Sequence, residues 1–382
     1  MRVLLAASVA HSHLTAMIPL GWALRAAGHD VLVACQPGQR DCALGSALPA
    51  VTIGSDLDFA EWHRQRRATG GQREYRSEDT LAVMFHTVTE MMVPDLVALA
   101  EEWRPQLVVR DPITFAAEIA AAAIGVPALR QLWGPDLFGT HEGLWLLSLL
   151  RERLDPLFTG YGATPPELLS QWSIDPCPDG LQKYGEGTPI AIRYVAADIG
   201  GAIPEWLTTP PARPRICITW GTFSAGLPGS YLVPEVVQAL RELEVEPVIA
   251  TTAADRALLG DLPADVRIAE SVPLHLLLPS CAAIIHHGGG NTMLGAAIAG
   301  VPQLIISHMF ERKLHGERLA ATGAGRHLPA AEATTANILA ATAALLNDPA
   351  HHAGAAALRS ESLARPEPAA VVGRLESLTG AA

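Results

Sequence analysis

The sequence predicts an α/β protein built from two doubly wound domains of parallel strands that face one another across a cleft. Three observations carry this expectation. Short apolar runs alternate with helical segments along most of the chain, the rhythm of strand–helix–strand units. The stretch 200–215, GGAIPEWLTTPPARPR, is dense in Pro and Gly, lacks periodicity and separates two such series. The length of 382 residues is also large for one hydrophobic core.

The elements follow in order. RVLLAASV reads as a buried strand, LTAMIPLGWALRAAGH as a helix ended by Gly28, and DVLVAC as the next strand. A secretory leader fits poorly here, because His11 and His13 interrupt the apolar stretch and only one basic residue precedes it. Helix DTLAVMFHTVTEMMVPDLVALAEEW, strand PQLVVRD, helix TFAAEIAAAAIG and strand VPALRQ continue the alternation. Between about 134 and 190 it weakens, leaving one amphipathic helix, LFGTHEGLWLLSLLRERLDPLF, and Pro-rich irregular chain. After the linker come strands RICITWG, EPVIATT, VRIAES, AAIIHHG and PQLIIS. The expected division is one domain over 1–205, a second over 206–365, and a C-terminal helix over 366–382 that packs back on one of them, the N-terminal domain being the expectation.

Composition excludes several classes. Apolar residues make up 49% and aromatics 5%, with 33 Gly and 29 Pro, a profile of soluble α/β proteins. A formal charge of −12 argues against nucleic acid and anionic membrane as partners. No run of eighteen apolar residues free of charges and breakers occurs, so no membrane span is expected. The five cysteines, Cys35, Cys42, Cys177, Cys217 and Cys281, are odd in number and show no CxxC spacing. They read as reduced core residues of a cytoplasmic protein.

The segment HHGGGNTMLG, 286–295, lies between an apolar strand and a helix. Backbone N–H groups at a helix N-terminus, backed by the helix dipole, form an anion site. Gly288, Gly289 and Gly290 would let the backbone approach a phosphate, with donors from Asn291, Thr292 and His287, which could also carry charge. The segment fits neither the dinucleotide fingerprint nor the lysine-bearing ATP loop, and a ligand-free strand–helix turn is an equal reading of the glycines alone.

At this point the residues carry a resemblance. AAIIHHGGGNTMLGAAIAGVPQLIISHMFERKLHGERLAATGAG is similar to the nucleotide-sugar signature of GT-B glycosyltransferases. It most resembles the enzymes that attach deoxysugars to macrolide, anthracycline and related polyketide aglycones in antibiotic biosynthesis. MRVLLAASVAHSHLTAMIPLGWALRAAGHDVLVACQPG, WSIDPCP, IRYV, IPEWL, PPARPRICITWGT and VPLHLLLPSCAAIIHHGG extend it along most of the chain. The resemblance implies that His287 contacts the donor diphosphate, with Gly289, Asn291 and Thr292 holding its oxygens. It places Thr219, Gly221 and Thr222 on the diphosphate's other side, Val272 against the base through its backbone, and Glu311 on the sugar hydroxyls. Asn291 stands where bacterial relatives usually have Gly, and Arg312 where a Gln often follows the acidic residue. No carboxylate occupies Gly295, where the plant motif grips a ribose hydroxyl, which suits a dTDP donor. The resemblance makes His13 the general base and Asp111, ending PQLVVRD, its orienting carboxylate.

It therefore implies an inverting hexosyltransferase moving a deoxysugar or aminosugar from dTDP to an apolar polyketide acceptor, with no metal and no cofactor. A cytochrome-P450-like activator and a homodimer are its expected partners. Phe85, Met91, Met92, Trp133, Phe138 and Trp145 mark the region where an acceptor cavity would lie. His11 with His13, and Asp56 with Asp58, lack the company a metal needs and read as turn residues. The basic run 61–76 reads as a solvated loop that could cover the acceptor. Two other functions share these features: a nucleotide-sugar 2-epimerase and a non-catalytic nucleotide-sugar-binding activator.

Overall fold

The computed structural model describes residues 1–58, 61–62, 78–167, 169, 171–182, 187–197, 201–221 and 231–380. Most of the basic run 61–76 and Thr222 lie outside these residues. The chain folds into two compact units: Met1–Asp175 with Lys183–Ile192 and Pro366–Ala382, and Pro176–Gln182 with Arg193–Arg365. The chain crosses between the units at 175/176, 182/183, 192/193 and 365/366, and the crossing into the long second segment lies ahead of the Pro-rich stretch. Within that stretch Trp206 lies beside Arg215 and Arg267, their guanidinium carbons 5.0 and 5.5 Å from its ring centre. The apparent linker is bound into the second unit by that apolar and cation–π contact.

In the first unit, strands β1 (Arg2–Ala7), β2 (Asp30–Cys35), β3 (Ala50–Thr52), β4 (Leu107–Arg110), β5 (Ala128–Gln131), β6 (Trp172–Asp175) and β7 (Thr188–Ala191) form one parallel sheet, ordered β3-β2-β1-β4-β5-β6-β7. Val3 to Ala7 are fully buried, as expected of a strand covered on both faces by helices. Those helices are α1 (His11–Ala26), α2 (Arg40–Gly45), α3 (Glu78–Trp103), α4 (Phe115–Ile124) and α5 (His141–Gly160). Within α3, Thr80–Trp103 has a mean hydropathy of 1.3 and is long and apolar enough to cross a membrane. The helix packs on α4 and α5, and 44% of that apolar window is buried inside the fold.

The second unit repeats the plan. Its strands β8 (Arg215–Thr219), β9 (Glu246–Thr251), β10 (Arg267–Glu270), β11 (Ala283–His286), β12 (Gln303–Ser307) and β13 (Gly325–Pro329) are parallel and ordered β10-β9-β8-β11-β12-β13. Helices α6 (Val233–Leu240), α7 (Leu274–Leu277), α8 (Gly290–Ala299), α9 (Phe310–Ala321), α10 (Thr335–Asn347) and α11 (Pro349–Ala364) connect or flank them. The last helix, α12 (Pro368–Thr379), belongs to the first unit. It packs on α1 by burying Val371, Val372 and Leu375. Glu376 reaches His29 at 3.0 Å and Arg374 lies over the Trp172 ring at 5.5 Å.

Three strands go beyond the sequence expectation: β6, β7 and β13, each of four or five residues. The cysteines are all free, but Cys42 and Cys281 are only half-buried, so they are not core residues. In both sheets the strand order reverses between the first and fourth strands of the unit, β1/β4 and β8/β11. Helices then leave to opposite faces and open a crevice at the carboxyl ends, where doubly wound sheets bind ligands.

Candidate active site

At the first switch point, β1 runs into α1 through Ser8, Val9 and Ala10. Val9 has φ 69°, and the N–H of Ala10 donates to the Ser8 carbonyl at 2.8 Å, closing a three-residue γ-turn around it. A β-branched residue in that region is strained. Side chains from the loop after β2 hold the turn: Gln36 Oε1 accepts from the Val9 N–H at 2.8 Å, and Gln39 Nε2 donates to the Ala10 carbonyl at 2.8 Å. His13 therefore stands in the first turn of α1 rather than in the loop before it.

Its ring is stacked on Trp133 with centroids 3.9 Å apart and an interplanar angle of 4°. Nδ1 lies 3.0 Å from the Ser8 carbonyl, which can only accept, so in the neutral ring Nδ1 carries the hydrogen and Nε2 is the acceptor. Asp111, fully buried at the end of β4, comes no closer than 3.7 Å to Nδ1. Its oxygens accept instead from the N–H groups of Ser8, Ile113 and Thr114 and from the Thr114 hydroxyl, at 2.6 to 3.0 Å. The direct carboxylate–histidine hydrogen bond expected from the sequence is replaced by one to a carbonyl. Asp111 fixes the loop that offers that carbonyl and adds negative charge beside the ring.

The neighbouring polar residues have ordinary structural duties. His11 Nε2 bonds the Gly38 carbonyl at 2.8 Å, Asp56 accepts from the Gly38 N–H at 3.0 Å, and Asp58 accepts from the Glu61 N–H at 2.9 Å. Among the described residues no cluster of three or more His, Cys, Asp and Glu is arranged to hold a metal. Of the expected cavity region, Phe85, Met92, Trp133 and Phe138 are buried, whereas Trp145 is 57% exposed.

At the second switch point, β11 ends on His286 and α8 begins at Gly290, with Gly289 as N-cap. No side chain caps this end and no acidic residue occupies its first turn, so its N–H groups are available to an anion. Gly288 has φ 91° and Gly221 φ 62°. A Cβ on either Gly221 or Gly289 would fall 2.6 Å from the His287 ring, so glycine at both places is what admits the imidazole. Thr219 ends β8 directly opposite His286. The turn thus gathers Thr219, Gly221, His287, Gly288, Gly289, Gly290, Asn291 and Thr292 as expected, Thr222 lying outside the described residues.

Three buried imidazoles surround it. His286 is pushed down to about 4 by burial, against the hydrogen bond to Gln303 at 3.0 Å, with the charges of His315 and Arg312 adding to the depression. Burial, then the Arg312 and His286 charges, hold His287 well below its ordinary value, with the Thr219 backbone opposing. His315, on α9, is lowered by burial as well, with Glu311 opposing. Burial and the Arg312 charge thus favour the neutral form of His287 in this turn. Glu311 occupies the first turn of α9, 3.8 Å from His315 Nε2. Val272 follows Ser271 (φ 54°) beyond the end of β10 and packs its side chain on the core cluster of Cys217, Val248 and Ile284.

Sequence reasoning missed the Ser8 carbonyl, the stacking of Trp133, the Gln36 and Gln39 struts, and His315. A carbonyl leaves no trace in residue identity, but His315 was visible at four residues from Glu311, one helical turn away.

The family model for the N-terminal domain of erythromycin biosynthesis protein CIII-like proteins matches residues 22–221, and that for their C-terminal domain matches 234–378. The chain is 36% identical to 10-deoxymethynolide desosaminyltransferase of Streptomyces venezuelae, covering 99% of this chain and 97% of that one. It is 35% identical to aklavinone 7-beta-L-rhodosaminyltransferase of Streptomyces galilaeus, with 99% and 96% covered. Among solved structures, spinosyn rhamnosyltransferase SpnG complexed with thymidine diphosphate superimposes with a TM-score of 0.85 at 33% identity, covering 98% of this chain and 100% of that one. Fold and relatives together define a GT-B glycosyltransferase. Within that class, the chain belongs to the erythromycin biosynthesis protein CIII-like family.

Proposed function

We propose that this glycosyltransferase moves a deoxysugar, in some cases an aminosugar, from a dTDP donor to a hydroxyl of an apolar polyketide-derived acceptor in antibiotic biosynthesis. The relatives' names support the substrate classes, and the thymidine diphosphate complex of SpnG supports the donor. The reaction is a single displacement with inversion at the anomeric carbon and needs no metal. His13 Nε2 takes the acceptor proton, while the N–H groups opening α8, with His287, Asn291, Thr292, Thr219 and Thr222, receive the departing diphosphate. Val272 meets the base through its backbone, and Glu311 accepts from sugar hydroxyls.

The observation that carries the base assignment is the 3.0 Å bond from Nδ1 to the Ser8 carbonyl, which makes Nε2 the accepting nitrogen of the neutral ring. Asp111 acts through the loop and its charge.

His13→Ala is the test. Turnover with a dTDP-deoxysugar and a polyketide aglycone should fall by roughly two to four powers of ten, while thymidine diphosphate affinity stays within about two-fold. Full turnover in the variant sinks the base assignment. Donor incubated alone should return no epimerised sugar, and running the assay with and without a cytochrome-P450-like protein decides whether an activator takes part.

A further inference from the structure

Gly288 is held on both sides, at its N–H and at its carbonyl, by imidazoles to which the resemblance assigned no role. The N–H of Gly288 donates to His286 Nδ1 at 3.2 Å, and its carbonyl accepts from His315 Nδ1 at 2.8 Å. His315 is fully buried on α9, and its Nε2 lies 3.8 Å from Glu311. His286 is itself oriented, because its Nε2–H donates to Gln303 Oε1 at 3.0 Å and Gln303 Nε2 donates to the Met293 carbonyl at 3.1 Å.

A peptide unit is planar and trans, so the carbonyl of one residue and the N–H of the next point in opposite directions. Holding the Gly288 carbonyl toward His315 therefore turns the Gly289 N–H away from α9. Gly288 at φ 91° has little intrinsic preference to keep that orientation. The Gly289 N–H donates to no group among the described residues.

Resting on the donor assignment above, we propose that His315 is a positioning residue: by fixing the Gly288 carbonyl it aims the Gly289 N–H at the donor diphosphate. It also ties the phosphate-binding turn to the helix that carries Glu311, so the two ends of the donor meet one rigid frame. His315 touches no reacting atom and acts through the peptide.

The test compares thymidine diphosphate affinity, by calorimetric titration of the full chain, for wild type, His315→Phe and His315→Asn. Phenylalanine keeps the ring's shape without the donor, and asparagine places an amide N–H near the position of Nδ1. Affinity should fall roughly three- to ten-fold in His315→Phe, the span of one hydrogen bond's net contribution. It should return to within about two-fold of wild type in His315→Asn. The KM for acceptor should not move. A role confined to stability would lower the melting temperature and leave the affinity of folded protein unchanged, and that result overturns the proposal. So does asparagine binding as weakly as phenylalanine while folded. Should the phenylalanine variant fail to fold, His315→Leu serves the same comparison. Wild type binding no thymidine diphosphate would sink the donor assignment; wild type and His315→Phe binding it equally would sink this inference alone.

Discussion

Acidification from pH 7 to pH 5 should destabilise the protein through His286. In the folded chain this residue is completely buried and titrates at about 4, against an ordinary value of 6.5. Between those values the unfolded chain binds the proton and the folded chain does not. Stability from this group is therefore complete above pH 6.5, declines as the pH falls through the window, and levels off below 4. At about 1.4 kcal/mol for each tenfold difference, the whole gap amounts to about 3 kcal/mol, and about 2 kcal/mol of it is lost by pH 5. The imidazole resists protonation because burial penalises the cation, and because a protonated Nδ1 could no longer accept from the Gly288 N–H. Denaturant unfolding of wild type and His286→Asn at the two pH values isolates the effect. The asparagine oxygen can accept from Gly288 but does not titrate, and the same-sign contributions of His287 and His315 persist in both proteins. Wild type should lose about 2 kcal/mol more than the variant on going from pH 7 to 5. Equal losses, or a His286 Cε1–H resonance that titrates near 6.5, would refute the reasoning.

Three further outcomes are expected. Gly289→Ala puts a Cβ 2.6 Å from His287 Nε2, so the ring must move; binding titrations should show thymidine diphosphate affinity about ten-fold weaker. Asp111→Asn confronts at least one N–H with an amide that cannot accept, and thermal unfolding should report about 2 kcal/mol of lost stability together with reduced turnover. Val9→Gly relieves a β-branched residue at φ 69° and should raise stability by about 1 kcal/mol, while slackening the loop that aims His13 and so lowering turnover.

The sequence made the parts legible where a physical period was long enough to see. Strands such as Arg2–Ala7 and Arg215–Thr219 are, after their first residue, unbroken apolar or β-branched runs, and the glycines at 288 to 290 announced a turn that only small residues can make. Strands β6 and β7 were illegible because four-residue elements, one containing Pro189, carry too few positions for alternation to register. At the site, residue types located His13 and Asp111 at one switch point, yet identity alone could not show which acceptor the imidazole would choose. That choice follows from the strained backbone at Val9, which bends the Ser8 carbonyl into reach. His315 escaped notice because its duty is owed to a carbonyl 27 residues away rather than to any motif.

The return of α12 to the first unit, and the place of Pro176–Gln182 in the second, mean that neither half of this enzyme is one continuous piece of chain. During synthesis the first unit must wait for α12 to leave the ribosome before the Trp172 ring and the α1 surface are covered. The same wiring governs engineering by exchange of halves between relatives: a chimera joined near residue 192 should keep residues 366 to 380 from the parent that donates its beginning, or the tail will meet a foreign α1.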